Sequence, residues 1–141
     1  MKIRGLVVAF LAVVFSIAPQ FVNTSSAQTG GYSAKLISPT MGQVLQPGQV
    51  VRVQWKSRLP NIDLGACERE VWLSLDGGRT FTMWISPWLA PKGPDFFYWT
   101  VPNIPTNAAV LDIRFGCEPG YPECYAPQPA STFVIGKSSP Q

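Results

Sequence analysis

The 141-residue chain contains no histidine. That removes both the commonest general base and the commonest metal ligand. Cysteine is scarce, with three residues, and no cluster of Cys, Asp and Glu shows metal-ligand spacing. Charged residues make up only 13% of the chain. No segment sustains a 3.6-residue apolar period, and 14 prolines exclude long helices. A serine or cysteine nucleophile would have no imidazole beside it. The paired-carboxylate chemistry of glycoside hydrolysis needs only two acids, and eight are present: Asp63, Glu68, Glu70, Asp76, Asp95, Asp112, Glu118 and Glu123. Most read as loop or outward-strand residues, and a domain of this size leaves little room for a buried cleft. The expectation is a chain without catalysis, cofactor or metal.

What is present begins with an export signal over residues 1–27. Lys2 and Arg4 form a basic start, Leu6 to Ala18 is almost unbroken apolar sequence, and Ser25-Ser26-Ala27 offers small residues for cleavage. The apolar run of about 13 residues is short of the ~20 that span a bilayer. No further run of that length follows, so no membrane insertion is expected once the signal is gone. Cleavage leaves about 114 residues, enough for one domain. Of the 11 basic residues nine remain, against eight acidic, for a net charge near +1. That balance predicts no affinity for nucleic acid. The chain divides into the signal, a lead over 28–33, a β-domain over 34–136 and a polar tail over 137–141.

The domain reads as short strands separated by Pro and Gly. Its centre is Arg69 to Ile85, where Val71, Leu73 and Leu75 alternate with Trp72 and Ser74 before Asp-Gly-Gly-Arg. Phe81, Met83 and Ile85 then alternate with Thr82 and Trp84, the signature of a β-hairpin. Pairing Leu75 with Phe81, Leu73 with Met83 and Val71 with Ile85 keeps one face apolar, and glycine supplies any positive φ in the turn. Further strands are expected at 34–37, 50–55, 96–101, 109–115 and 131–135. Seven short strands in about 105 residues fit an antiparallel β-sandwich.

Ile37-Ser-Pro-Thr40, Gly42, Pro47-Gly48 and Val51-Arg-Val-Gln-Trp55 resemble the opening of immunoglobulin-like or fibronectin-III-like domains of bacterial exported proteins. The opening is also similar to the fungal Ser/Thr-rich GPI-anchored cell-wall family. Ser74-Leu-Asp-Gly-Gly-Arg-Thr-Phe81, Trp99-Thr-Val-Pro102 and Ala109-Val-Leu-Asp-Ile-Arg114 extend the likeness over nearly all the mature chain. The resemblance implies a seven-stranded sandwich that binds, spaces or decorates, and it does not specify a ligand. Ser74, Asp76, Gly78 and Thr80 also match the Asp-box of sialidase propellers. One copy cannot build a propeller, so these residues are expected to form a bonded structural turn.

In the seven-strand sandwich the strands flanked by Cys67 and Cys117 are antiparallel neighbours. Cys67 shares the parity of Val71 and Leu73, and Cys117 that of Ile113 and Phe115. A Cys67–Cys117 disulfide is expected in an oxidising, periplasmic or extracellular setting, with Cys124 as the rival partner or the leftover thiol. An exposed Cys124 would allow a linked dimer in place of a monomer.

The same hairpin register sets Trp72 opposite Trp84 on the face away from the core. Flat rings on an outer sheet face can stack on sugars, and Trp88, Phe96 and Tyr98 are candidates to extend that platform. The rings can equally shield the sheet or pack beneath the 86–95 loop, and exposed aromatics mark protein interfaces as well. The loop from Glu118 to Pro129 carries Tyr121 and Tyr125 among four prolines and is either a recognition loop or a cover for the sandwich end. The expected function is an exported, non-catalytic binding or structural module, with carbohydrate binding through the aromatic platform as the alternative. The partner is left unknown, with an extracellular protein and a glycan both open.

Overall fold

The computed structural model describes residues 31–138. The expected export signal, residues 28–30 of the lead and residues 139–141 of the tail lie outside the described residues. The strands are β1 (Ser33–Ser38), β2 (Val44–Leu45), β3 (Val50–Arg58), β4 (Cys67–Ser74), β5 (Met83–Trp84), β6 (Phe96–Thr100), β7 (Thr106–Cys117), β8 (Tyr121–Cys124) and β9 (Phe133–Ile135), with a short 3-10 turn at Pro129–Ser131. Two sheets result, one ordered β1-β3-β6 and the other β2-β9-β7-β4-β5 with β8 also on β7. The architecture is all-β and sandwich-like. Among the described residues no helix is long and apolar enough to cross a membrane.

Alternation dictates the layers. Val51, Val53 and Trp55 of β3 are buried, as are Val71 and Leu73 of β4, while Arg52, Gln54, Glu70 and Trp72 between them are more accessible. These residues join Phe97, Leu111, Ile113 and Phe133 in the main core. Each fully buried aliphatic or Phe side chain contributes about 1.5–3 kcal/mol. A smaller cluster closes one end, where Tyr32 stacks on Phe115 at 5.3 Å and Cys67 and Cys124 are buried beside them.

The hairpin keeps the expected register where it pairs, with Trp72 opposite Trp84 and Leu73 opposite Met83. The Ile85 N–H also donates to the Val71 carbonyl at 2.9 Å. Its returning arm is only Met83–Trp84, whereas the sequence pattern runs from Phe81 to Ile85. The cause is local: the Asp76 side chain takes the backbone N–H groups of Arg79 and Thr80, and the Gly77 N–H bonds to Ala108 of β7. Leu75 and Phe81 therefore do not form a ladder pair. Gly77 and Gly78 have φ of 79° and 87°, the left-handed conformation that the turn requires of them.

Among the described residues nine strands replace the expected seven. β2 is two residues long and pairs in parallel with β9, a partner some 90 residues away that a local pattern does not reveal. β8 lies inside the loop expected over 118–129, and it folds back on β7 through Cys117–Tyr121 and Phe115–Cys124 pairing. β9 begins at Phe133, because residues 129–131 form the 3-10 turn.

Candidate functional site

The outer face of the β4–β7–β8 region carries a groove of about 550 Å³, bordered by Glu68, Glu70, Trp88, Gly116, Glu118 and Tyr121. β4 supplies its floor through the residues between the buried ones: Glu68 and Glu70 alternate with Cys67, Arg69 and Val71. Across the ladder Glu68 faces Gly116 and Glu70 faces Arg114. Gly116 has no side chain to fill the space, and β8 raises the far wall.

Trp88 forms the near rim and is 64% exposed. Its position follows from its neighbour. Leu89 is buried and forms a β-bridge with Arg69, whose N–H donates to the Leu89 carbonyl at 2.9 Å. Adjacent residues of extended chain point to opposite sides, so Trp88 projects outward. The Arg69 guanidinium holds the rest of that connection from beneath, donating to the carbonyls of Ala90 at 2.8 Å and Gly93 at 3.0 Å. It also pairs with Asp95 and lies 5.5 Å from the centre of the Trp55 ring.

Arg114 organises the floor. Its Nε donates to Asp112 at 2.8 Å and its Nη1 to Glu123 at 3.4 Å. The guanidinium lies over the Trp72 ring at 4.6 Å and over the Tyr125 ring at 4.9 Å, so two aromatic faces meet one cation. Asp112 is almost fully buried, and burial pushes its carboxyl up, with Arg114 and the Ala126 N–H pulling it back. The Tyr125 hydroxyl donates to Glu123 at 2.8 Å, and that bond is the main cause of its raised pKa. Four glutamates face one arginine here, and that arginine is already matched by Asp112. The groove is therefore net negative.

The tryptophan pair of the hairpin borders this face. The Trp72 N–H donates to Glu70 at 2.8 Å, and the Trp84 N–H to Ser86 at 2.9 Å. Trp84 is 52% exposed, while Arg114 covers Trp72. The 86–95 connection does not shield these rings. It sends Leu89 into the core and leaves Trp88 outside. Tyr121 packs edge-on against Phe115 at 5.7 Å and lines the groove wall.

Tyr98 and Phe96 do not extend this platform. Both belong to β6 in the opposite sheet, where Phe96 packs edge-on against Tyr98 at 6.1 Å. Strand order across the two sheets, which the alternation pattern does not contain, separates them. Glu68, Glu70, Glu118 and Glu123 were legible only as ordinary surface acids. The shared parity of Glu68, Glu70 and Trp72 was the available signal that they line one face.

Ser74, Asp76, Gly78 and Thr80 form a bonded turn. The Ser74 hydroxyl donates to Asp76 at 2.6 Å, and the N–H and hydroxyl of Thr80 donate to the same carboxylate at 2.9 and 2.7 Å. The Ser74 bond first, then those from Thr80, holds the Asp76 carboxyl well below the usual carboxylate range. Every lone pair used serves the turn, and this supports the structural reading.

Cys67 and Cys117 are directly paired across the ladder and form the disulfide. Cys124 lies outside it at 3% exposure, and burial pushes its thiol up. A dimer linked through Cys124 would need β8 to open. Among the described residues no group of three or more Cys, Asp and Glu is disposed to hold a metal. No known protein-family model matches the chain, and no curated protein matches it in sequence.

Proposed function

We propose that the protein is an exported, non-catalytic binding module that holds its ligand in the groove on the outer face of β4, β7 and β8. The observation that carries this reading is Trp88, an indole left 64% exposed on the rim of a groove lined by glutamates, above a connection anchored by a buried arginine. An aromatic held rigidly at the surface loses little conformational entropy when a ligand covers it.

An immunoglobulin-like fold is consistent with the strand order. β1, β3 and β6 correspond to the A, B and E strands, and β4, β7 and β9 to C, F and G, with β5 in the place of C′. The disulfide departs from the antibody pattern, because it joins β4 to β7 within one sheet instead of bridging the two. This reading rests on topology and leaves the ligand class to the site.

Carbohydrate is the ligand class favoured by the exposed faces of Trp84 and Trp88. Indole faces stack on the C–H groups of a pyranose, and the adjacent carboxylates accept hydrogen bonds from its hydroxyls. Trp88→Ala should remove retention on insoluble cell-wall polysaccharide while far-UV and near-UV spectra stay those of the folded domain. Retention equal to that of the unaltered protein would reject the groove as the site.

A further inference from the structure

We propose that the outer face of the β1–β3–β6 sheet is a second binding surface, one that takes a linear acidic polysaccharide. Lys35, Arg52, Lys56 and Arg58 are all exposed on β1 and β3, and the three strands contain no acidic residue. Lys35 and Lys56 are directly opposite each other across the β1–β3 ladder. Like charges in that position repel. The ion pairs among the described residues engage Arg69 and Arg114 and none of these four side chains. A shallow depression of about 250 Å³ lies between Ser33, Lys35, Lys56 and Arg58. The repulsion in the ligand-free protein is relieved when an anion sits over that depression.

The geometry favours a polymer with sugar faces. Arg52, Lys56 and Arg58 follow one strand edge to edge over roughly 20 Å at ~3.3 Å per residue. Beside them Tyr98 is 67% exposed, and Arg52, its ladder partner, lies 4.0 Å from the centre of the Phe96 ring. A row of cations along a strand matches a row of carboxylates or sulfates along a chain, and the phenol offers a stacking face to one ring of it. The mature net charge near +1 hides this surface, because the acids collect on the opposite sheet at Glu68, Glu70, Glu118 and Glu123.

The test is affinity of the mature protein for polygalacturonate (carboxylated) and heparin (sulfated), with dextran as the neutral polymer. We expect binding to one or both anionic probes that weakens steeply with salt, and none to dextran. Lys56→Gln with Arg58→Gln should lower affinity about tenfold and flatten the salt dependence, as removal of two ionic contacts does. Lys35→Gln, on the neighbouring strand, should weaken binding by itself, so the outcome does not hang on one variant. Trp88→Ala should leave this binding unchanged, which separates it from the groove. Unaltered affinity in both lysine variants would overturn the proposal. So would stronger binding to anionic lipid vesicles than to either polysaccharide, or concentration-dependent association of the protein with itself that Glu70→Lys abolishes, which would mean that the acidic face of another copy is the occupant.

Discussion

Arg69 and Asp95 form an ion pair that ties one sheet to the other. Arg69 projects inward from β4, with a fully buried side chain, and Asp95 stands at the entrance to β6. Asp95 also accepts from the N–H and hydroxyl of Ser57 at 3.1 Å on β3. One guanidinium thus joins β4, β3 and the 90–95 connection, while the Arg69 backbone N–H holds the Leu89 carbonyl next to Trp88.

Removing Arg69 leaves the Ala90, Gly93 and Pro94 carbonyls without that donor, while Asp95 keeps its bonds from Ser57. Each buried carbonyl left unsatisfied costs about 1–3 kcal/mol. Arg69→Ala should lower the melting temperature by more than about 10 °C, since a domain of this size shifts roughly 4–8 °C per kcal/mol. Arg69→Leu with Asp95→Asn should lose less than the two single variants combined. Thermal unfolding of the three variants decides it, and strict additivity would show that the pair is not coupled.

The Asp76 turn makes a prediction about acid. A carboxyl whose folded pKa is depressed stabilises the protein above its unfolded pKa of about 4, and that contribution is lost as pH falls towards the folded value. Asp76 is such a group. The urea midpoint of the unaltered protein should therefore exceed that of Asp76→Asn at pH 6, and the gap should narrow below about pH 4. A gap independent of pH would mean that the carboxylate charge does not support the turn.

The disulfide closes a loop with a sequence separation of 50, which corresponds to about 4 kcal/mol on the chain-entropy model. Non-reducing peptide maps should show Cys67 joined to Cys117. Cys124 should resist alkylation in the native protein and react once it is unfolded, as expected for a buried thiol with a raised pKa. Rapid native alkylation would place β8 away from β7.

The two hairpin tryptophans should behave differently. Trp84→Ala removes a half-exposed ring and should cost no more than about 1 kcal/mol. Trp72→Ala also strips Arg114 of an aromatic face, an interaction worth up to about 2 kcal/mol when desolvated, and loosens the arginine that holds buried Asp112. Equal melting temperatures for the two variants would contradict the role given to Arg114.

The hairpin register at Trp72–Trp84 and the bonded turn at Asp76 were legible because each depends on residues close in sequence, and the Cys67–Cys117 pairing because the strand neighbours implied by the resemblance set two residues of inward parity side by side. Arg69 has the parity of Cys67, Val71 and Leu73, a signal that went unused, and its partner lies 26 residues further on, where no local pattern points to it. The groove was not legible for the same reason. It needs Trp88 from one connection, Glu70 from β4, Gly116 from β7 and the unforeseen β8. Tyr98 was misassigned to the platform because alternation gives the face of a strand within a sheet and says nothing about which sheet the strand joins.

The most direct test of the groove is nuclear magnetic resonance of the tryptophan indole N–H groups while cell-wall oligosaccharides are added to a protein of residues 28–141. The indole signals of Trp88 and Trp84 should shift in a saturable way, and that of Trp55, buried in the core beneath Arg69, should not. Saturable binding that leaves the Trp88 signal unmoved would contradict the account.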